Sequence, residues 1–433
     1  STLDRSSAAS DVFKRQVEQF VEIPHPVKQK NVGMLSFQAQ VLLHHWGVRF
    51  GQLSSYCDGG VAIVIAGNIL RMRIMHLESG RHRYGGAEQV RYLIQGLAAV
   101  GIENLLVCPP KSEIAAATRA TEVVELPMAG DLDVFLPRRL RAVLERHSPT
   151  ILHVHSRRGA DTVGGWSARG VGVPAVLTRR VDNREIAAWA RLKYRYYQAV
   201  VVISSAIEKE LLGHVGLESS WVFTVPSAVD SQRFRPVLAR ERLLETFCLP
   251  DRALVIGVIA QLIPRKGHAL FFECLPELLA RYPDAHVLCF GRGPLKKSLL
   301  RRLAHLNLAT RVKLVGFRTD LPDLLPGLDL VVHPAKREGL GVAVLEAMSS
   351  GVPVVCSTAG GLIALIDDGL HGLTFEPDDR QGLSAAVASM LCDAERRSRF
   401  GVAGRMRAEA KFSVDRMSQR YLEIYDWVLR TAS

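Results

Sequence analysis

Short apolar runs alternate with longer stretches of mixed polarity along most of this chain, and this alternation predicts strands separated by helices. Runs such as Ile151–His155 and Leu254–Ala260 are apolar on both faces, as strands inside a parallel sheet are. Pro137–His147 is amphipathic at helical spacing. The order strand, glycine-rich loop, helix, strand recurs from Met72 onward. It is the unit of a doubly wound α/β sheet, in which ligands bind at the carboxyl ends of the strands.

The predicted strands fall into two series, which indicates two domains of the same class. We expect a first domain over residues 71–236 and a second over residues 237–413, with a short helix in the linker after Pro236. Residues 1–70 lack a sustained hydrophobic period. Two interpretations of them stay open, a poorly ordered extension and an additional folded piece.

One stretch of the second domain combines all the features of a ligand site. An apolar strand is followed by Glu338 in a loop, and Gly339 and Gly341 allow the backbone to turn tightly and to approach a ligand. A helix is predicted over Val342–Ser349, and glycine and proline end it before the next buried strand, which starts at Val352.

The start of this predicted helix is suited to bind a diphosphate. The unpaired amides of Leu340, Gly341 and Val342, together with the positive end of the helix dipole, attract an anion. Glu346 lies inside the helix and can accept hydrogen bonds from sugar hydroxyls, as Glu338 can before it. Two carboxylates around a phosphate site suggest a nucleotide sugar, with one carboxylate for each sugar ring. The alternative is an exposed helix with solvated glutamates.

The whole pattern resembles the donor-site signature of retaining glycosyltransferases of family 4. It comprises Glu338, Glu346 eight residues later, the following Ala-Met, a Gly-x-Pro-Val run that begins at Gly351, and the pair Gly360-Gly361. The resemblance covers about residues 72–430. It implies the GT-B fold, in which two Rossmann-like doubly wound parallel-sheet domains face a central cleft. It also implies that the last helix, residues 414–430, crosses back onto the first domain.

The resemblance assigns donor-binding roles to a loop that follows the first strand of the second domain. Lys266 matches a lysine that addresses the donor diphosphate in this family. Gln261 departs from the family, which has an arginine there, and an amide cannot neutralise phosphate charge. Either Arg265 supplies that charge or the donor binds differently. The resemblance further implies that Glu346 binds the donor ribose and that Glu338 binds the transferred sugar.

In the first domain the resemblance points to acceptor binding near Gly85 and Gly86, the latter also facing the donor phosphates. His155 stands where the family has a histidine that contacts the donor sugar or the acceptor, and we assign it a catalytic role beside Glu338. Two basic clusters follow strands, and they include Arg157 and Arg180. These clusters favour a phosphate-bearing or otherwise anionic acceptor. For each arginine taken singly, the alternative is a solvent-exposed side chain that binds no ligand.

Composition limits the remaining possibilities. The net charge of +12 suits nucleic acid, anionic membrane or phosphorylated substrates, but no nucleic-acid-binding motif is present. Seven scattered cysteines exclude a complete disulfide framework and indicate reduced thiols in a cytosolic protein. No stretch has the form of a signal peptide, and the apolar run Gly59–Leu70 is too short to span a bilayer.

No metal site is evident, because the one Asp-x-Asp motif, Asp131 to Asp133, precedes a helix that it can cap. The sequence therefore predicts a metal-independent transferase with no cofactor apart from its nucleotide-diphosphate sugar. Its expected partners are a carbohydrate or glycolipid acceptor and an anionic membrane surface touched by the basic, aromatic segment Trp189–Tyr197, which places it on the inner face of the cytoplasmic membrane. Cell-envelope polysaccharide or lipopolysaccharide synthesis is the expected pathway. A nucleotide-sugar epimerase and a non-catalytic basic scaffold are the alternatives.

Overall fold

The computed structural model describes residues 72–82, 85–118, 121–130, 133–155 and 159–432. Three of the sequence predictions concern positions outside these ranges. They are the character of residues 1–70, the acceptor contact of Arg157, and the first two members of the Asp-x-Asp motif, Asp131 and Leu132.

The first domain is built on a parallel sheet of seven strands in the order β3-β2-β1-β4-β5-β6-β7. The apolar runs form these strands because both faces of the sheet are covered by helices. The strands are β1 Arg73–Leu77, β2 Glu103–Cys108, β3 Glu122–Glu125, β4 Ile151–Val154, β5 Ala175–Arg179, β6 Ala199–Val202 and β7 Val222–Thr224.

The second domain repeats this architecture with a parallel sheet of six strands, in the order β10-β9-β8-β11-β12-β13. Two parallel Rossmann-like sheets confirm the α/β class predicted from the sequence. The strands are β8 Leu254–Ile259, β9 Ala285–Phe290, β10 Val312–Gly316, β11 Leu330–His333, β12 Val354–Ser357 and β13 Leu373–Phe375.

Helices connect successive strands and carry the chain back across each sheet. Those of the first domain are α1 Gly85–Ala99, α2 Glu113–Ala117, α3 Leu136–His147, α4 Ala160–Gly170, α5 Ala187–Tyr194 and α6 Ser205–Lys209. Those that follow are α7 Arg240–Phe247, α8 His268–Arg281, α9 Lys296–His305, α10 Leu321–Leu324, α11 Val342–Ser349, α12 Arg380–Leu391, α13 Ala394–Phe412 and α14 Val414–Ala432. No helix within these described ranges is both long enough and apolar enough to cross a bilayer.

The last helix, α14, packs on the first domain against α1. Tyr421 and Tyr425 of α14 are fully buried in one apolar cluster with Ile74 and Leu93. The Tyr425 hydroxyl also lies 2.6 Å from Nδ1 of His153 on β4. Helix α14 therefore completes the core of the first domain and holds the buried His153 side chain in place.

The contact between α1 and α14 depends on Gly96. A Cβ atom at this position would lie 2.0 Å from Oγ and 2.9 Å from Cβ of Ser418. We expect Gly96→Ala to lower the free energy of unfolding by about 1–3 kcal/mol, because such overpacking forces the two helices apart. Urea denaturation measures the change. Gly213→Ala, in a helical segment where an added Cβ meets nothing within 4 Å, is the matched control and is expected to be neutral. An unchanged stability for Gly96→Ala would contradict this packing.

Candidate active site

The carboxyl ends of both sheets face one cleft, which lies between the two domains. Its volume is about 490 Å³, within the range of small-molecule sites. The second domain contributes the loops after β8, β9, β10 and β11, and the first contributes the start of α1 and the segments after β5 and β7. Every residue that the sequence assigned to the donor lines this cleft; they are Gly86, Gln261, Arg265, Lys266, Glu338, Leu340, Gly341, Val342 and Glu346.

At the floor of the cleft Lys266 and Glu338 form an ion pair between Nζ and Oε2. The same carboxylate oxygen lies 2.8 Å from Nε2 of His333, which is the last residue of β11. Burial alone would raise the pKa of the Glu338 carboxyl, but the hydrogen bond from His333 and the charge of Lys266 hold its pKa well below the ordinary value. Glu338 is therefore a carboxylate at neutral pH, and its loop is fixed from two sides.

The helix that follows, α11, opens on the cleft as predicted. Gly341 caps it with φ of +103°, and a Cβ there would lie 2.4 Å from Cδ2 of Leu362. Glycine is therefore required both by the backbone conformation and by the space available. The amides of Val342 and Ala343 start the helix and have no carbonyl of an earlier helical turn to bind, so they can receive an anion from the cleft.

Glu346 lies one turn into α11 and lines the cleft. Burial raises the pKa of its carboxyl to about 8, and the charge of Glu88 on α1 adds to this effect while that of Arg233 opposes it. Arg233 also donates to Glu88, with Nη1 2.9 Å from Oε1. The Glu88–Arg233 pair of the first domain therefore acts across the cleft on Glu346 of the second domain, whose carboxyl is mostly protonated at neutral pH.

The loop after β8 presents Gln261, Arg265 and Lys266 to the cleft. Pro264–Lys266 forms a 3-10 turn that ends at Gly267, where φ is +73°. Arg265 is half-buried, and among the described residues its guanidinium reaches only the Arg337 carbonyl, at 3.5 Å. It can therefore supply the charge that Gln261 lacks.

A second cavity of about 400 Å³ opens in the first domain at the ends of β1, β4 and β5. It shares Gly86, Arg180 and Val181 with the cleft, so the two spaces adjoin. His155 lines this second cavity, whereas the cleft is not lined by it. The two residues assigned a catalytic role, Glu338 and His155, are thus placed in adjoining spaces.

His155 belongs to a buried network of neutral histidines. Nδ2 of Asn104 donates to the Ile102 carbonyl, so Oδ1 of Asn104 accepts from Nε2 of His76 at 2.9 Å. Nδ1 of His76 must then accept from Nε2 of His155, also at 2.9 Å. Burial lowers the pKa of His76 to about 4 and holds the pKa of His155 well below its ordinary value. His155 is therefore left with a bare Nδ1 lone pair.

Neighbouring charged residues have structural roles. Arg179, next to Arg180, pairs with Glu185 at 2.7 Å, and Lys193 pairs with the same carboxylate at 2.6 Å and with Asp161 at 2.9 Å. These four buried charges neutralise one another.

The described part of the Asp-x-Asp motif also has a structural role. Asp133 accepts from the Leu136 amide at 3.1 Å and from the Ala129 amide at 2.8 Å, and pairs with Arg139. Capping of α3 therefore accounts for this residue.

Sequence reasoning missed several residues of the cleft. His333 has no feature in the sequence that singles it out except its position at the end of β11, which is the ligand edge of the sheet. Arg292 and Phe317 follow β9 and β10 at the same edge, with the Arg292 guanidinium 5.1 Å from the Phe317 ring centroid. All three residues could have been identified from the sequence by their position at, or just after, the end of a predicted strand.

Two family models match the chain in sequence. The model described as "Glycosyltransferase Family 4" matches residues 84–233, and the model "Glycosyl transferases group 1" matches residues 240–407. A GDP-mannose-dependent alpha-(1-6)-phosphatidylinositol monomannoside mannosyltransferase of Mycobacterium tuberculosis is 31% identical over 61% of this chain and 68% of its own length. The chain belongs to glycosyltransferase family 4. The resemblance seen in the sequence is thereby confirmed, and the protein is a glycosyltransferase that uses a nucleotide sugar.

Other relatives in sequence agree with this assignment. The lipopolysaccharide core biosynthesis mannosyltransferase LpsB of Rhizobium meliloti is 26% identical over 68% of this chain and 87% of its own length. The chain spans about half the length of two further mannosyltransferases that it matches. Among solved structures, that of Anabaena HepE in complex with UDP and glucose superposes with a TM-score of 0.73 at 20% identity, over 82% of this chain and 100% of the other. This likeness confirms the GT-B fold.

Proposed function

We propose that this family 4 enzyme transfers a sugar from a nucleotide-diphosphate sugar to an acceptor hydroxyl with retention of anomeric configuration. The observation that carries the proposal is the arrangement of Lys266 and Glu338 at the amino end of α11, with Glu346 one turn further along the same cleft. Along the chain the free amides of the helix start lie between Glu338 and Glu346, just as the diphosphate of a nucleotide sugar lies between the transferred sugar and the ribose.

The diphosphate, the ribose and the transferred sugar then each have a partner. Lys266, with Arg265 and the amides of α11, binds the diphosphate, and Gln261 contributes a neutral hydrogen bond. Glu346 accepts from the ribose hydroxyls, and Glu338 accepts from hydroxyls of the transferred sugar. Lys266 and Glu338 are paired with each other, so a bound donor must either separate the two side chains or interact with both at once. Binding of the diphosphate by Lys266 and binding of the transferred sugar by Glu338 therefore depend on each other.

The chemical step needs no covalent enzyme intermediate in this arrangement. The bond between the sugar C1 and the diphosphate oxygen breaks, and the acceptor oxygen bonds to C1 on the same face. The acceptor proton passes to the leaving phosphate oxygen. The positive charge of Lys266 and the helix amides stabilise the negative charge that develops on the diphosphate. On this account the reaction requires no metal and no cofactor besides the donor.

The named activities of the relatives guide the choice of pathway. LpsB of Rhizobium meliloti acts in lipopolysaccharide core synthesis, and the Mycobacterium tuberculosis relative acts on a phosphatidylinositol monomannoside. We therefore propose a carbohydrate or glycolipid of the cell envelope as the acceptor, bound in the first-domain cavity.

An exposed patch of the first domain fits an anionic membrane surface on the inner face of the cytoplasmic membrane. It consists of Trp166, Arg169, Arg195 and Tyr196, which line one shallow pocket. Trp166 is 47% exposed, and the Arg195 guanidinium lies 4.8 Å from the Tyr196 ring centroid. Amphipathic aromatic rings next to arginine are typical of surfaces that lie at the lipid headgroups.

The double substitution Arg169→Glu with Arg195→Glu tests this patch. Because each basic side chain contributes about 1 kcal/mol next to an anionic bilayer, we expect at least about a tenfold loss of binding to phosphatidylglycerol-containing vesicles. Cosedimentation measures it, and Arg252→Glu, an exposed arginine of the second domain, is the matched control. Equal binding by both variants, or binding that persists on neutral phosphatidylcholine vesicles, would contradict the proposal.

The reaction itself is tested by product stereochemistry. A panel of nucleotide sugars is incubated with the protein and a mixture of envelope-lipid acceptors, with and without EDTA, and the anomeric proton of the product is recorded by NMR. Retention of the donor configuration, unaffected by EDTA, is expected. An inverted product would refute the retaining step. A free nucleotide sugar or monosaccharide with altered ring stereochemistry, formed without acceptor, would indicate an epimerase.

A further inference from the structure

The guanidinium of Arg180 is buried and pairs with no carboxylate among the residues that the structure describes. Its three nitrogens have no hydrogen-bond partner in good geometry among those residues, and the Tyr421 hydroxyl is a polar neighbour whose pKa responds to the guanidinium. The side chain begins just after β5 and lies against Gly86, where an added Cβ would be 3.8 Å from Cδ of Arg180. Leaving a buried charge unpaired is costly, which makes this arginine different from Arg179 next to it.

His155, which lines the same cavity, lacks a hydrogen-bond donor for one of its ring nitrogens. Its Nδ1 is buried and without a partner, and the hydrogen-bond order of the network makes this atom an acceptor. The charge of Arg180 acts on His155, since after burial and the neighbouring histidines it contributes to the lowered pKa of that ring. The Arg180 guanidinium thus requires an anion, and Nδ1 of His155 requires a hydroxyl or amide that donates a hydrogen bond.

Both groups line the first-domain cavity, and Arg180 also borders the cleft. The guanidinium therefore stands where the acceptor space meets the donor space. The other buried cations among the described residues of this cavity, Arg179 and Lys193, are neutralised by Glu185 and Asp161. Within the described part of the chain, Arg180 therefore supplies the uncompensated positive charge of the inner wall.

A bound cation does not fit this place. Ligand atoms of His76, His153 and His155 lie within 4.8 Å of one another, a spacing that a metal could use. However, the ring nitrogens of His76 and His153 already hydrogen-bond to protein partners. The charge of Arg180 also opposes a second positive charge beside them.

We propose that the acceptor is an anionic polyol, whose phosphate or carboxylate group pairs with Arg180 while an adjacent hydroxyl donates to Nδ1 of His155. This proposal rests on the proposed function and narrows its acceptor. A planar guanidinium with free nitrogens suits the paired oxygens of either anion. The anion would lie at the junction of the two spaces, and it would hold the attacking hydroxyl next to the donor sugar.

The donor diphosphate is the competing partner for Arg180. It is already provided with Lys266, Arg265 and the amides of α11, all in the second domain. Arg180, by contrast, faces the aromatic and histidine network of the first domain, because its charge acts on Tyr421 and Tyr425 of α14 as well as on His153. The experiment separates the two partners by measuring each of them.

Calorimetric titrations of the full chain test the proposal with three small probes. Glycerol 3-phosphate, glycerate and glycerol are titrated with the donor site first saturated by the nucleoside diphosphate that binds best, and then without nucleotide. Binding of one or both anions, but not of glycerol, is expected, and the binding anion identifies phosphate or carboxylate. In Arg180→Gln this binding should fall at least about tenfold, and nucleotide affinity should change less than about threefold. Arg184→Gln, an exposed arginine after the same strand, is the control.

Three outcomes would overturn the proposal. They are equal binding of glycerol and the anions, unchanged anion binding in Arg180→Gln, and a loss of nucleotide affinity of tenfold or more in that variant, which would assign Arg180 to the donor. Failure of the wild type to bind any nucleotide would instead refute the proposed function. In that case the titrations without nucleotide would still show whether Arg180 binds the anionic probes.

The melting temperature of the ligand-free protein provides a second measurement. If Arg180 is present for an acceptor, Arg180→Gln removes an unpaired buried charge and should raise the melting temperature, by about 2 °C or more. A purely structural arginine would give a lower melting temperature, and this result would also count against the proposal.

Discussion

Lys266→Met is expected to lower kcat/KM for sugar transfer by about 10²–10³-fold, the magnitude lost when one donor to a developing negative charge is removed. Lys266 is the cation that the structure places against Glu338 at the floor of the cleft. Its loss removes positive charge from the leaving diphosphate and also frees the Glu338 carboxylate from its partner. Steady-state kinetics of nucleoside diphosphate release measure the effect.

The two members of this pair should not act independently. Glu338→Gln alone is expected to be severely impaired, and the double variant of Lys266 and Glu338 should lose much less than the sum of the single losses. Lys336→Met removes a lysine from the same loop region, where it pairs with Asp378 at 2.5 Å on the surface, and is the matched control. A loss below about fivefold in Lys266→Met, or strict additivity of the two substitutions, would contradict a shared role in donor activation.

Donor affinity is expected to rise with pH up to about pH 8 because of Glu346. Burial raises the pKa of this carboxyl to about 8 in the empty cleft, so it is mostly protonated at pH 6 and mostly ionised at pH 9. Ribose hydroxyls bind best to the ionised form. The association constant should therefore increase by up to about tenfold per pH unit below 8 and level off above pH 9, with release of up to about one proton per donor bound at pH 7.

Glu346→Gln isolates this effect. A glutamine keeps the shape but does not titrate, so the variant should bind the donor about 10–100-fold more weakly at pH 8.5 and show no pH dependence between 6 and 9. Calorimetry in two buffers of different ionisation enthalpy measures both the affinity and the proton release. The ligand is the intact nucleotide sugar, because the terminal phosphate of a free nucleoside diphosphate would itself titrate in this pH range and obscure the contribution of Glu346. A pH dependence that persists in Glu346→Gln would assign it to another group.

The fold and the placement of the candidate donor residues along one cleft could be predicted from the sequence, and the reasons are local. Buried parallel strands are apolar on both faces, so runs such as Leu254–Ile259 were found to within a residue or two. The turn at Gly341 and the helix after it follow from glycine and from helical spacing, and α11 has the predicted bounds, Val342–Ser349. Residues that one segment brings together, such as Gly341 and Glu346, could therefore be assigned in advance.

Contacts between distant segments could not be predicted in this way. The ion pair of Lys266 with Glu338 joins the loops after β8 and β11. The raised pKa of Glu346 arises mainly from burial between the packed domains, and the charge of Glu88 across the cleft adds to it. The isolation of Arg180 is visible only when all of its neighbours are placed, because Arg179 next to it in sequence is fully paired. Sequence spacing does not distinguish these two arginines.

The cleft should bind a nucleotide sugar through α11 and the carboxylates of Glu338 and Glu346. The decisive experiment is a calorimetric titration of a panel of UDP-, GDP-, ADP- and dTDP-sugars into the wild type and Glu346→Gln at pH 8.5. We expect one donor to bind the wild type clearly more tightly than the others and to bind Glu346→Gln about 10–100-fold more weakly. Binding of the same donor with equal affinity to both proteins, or the absence of binding by every nucleotide sugar, would contradict this expectation.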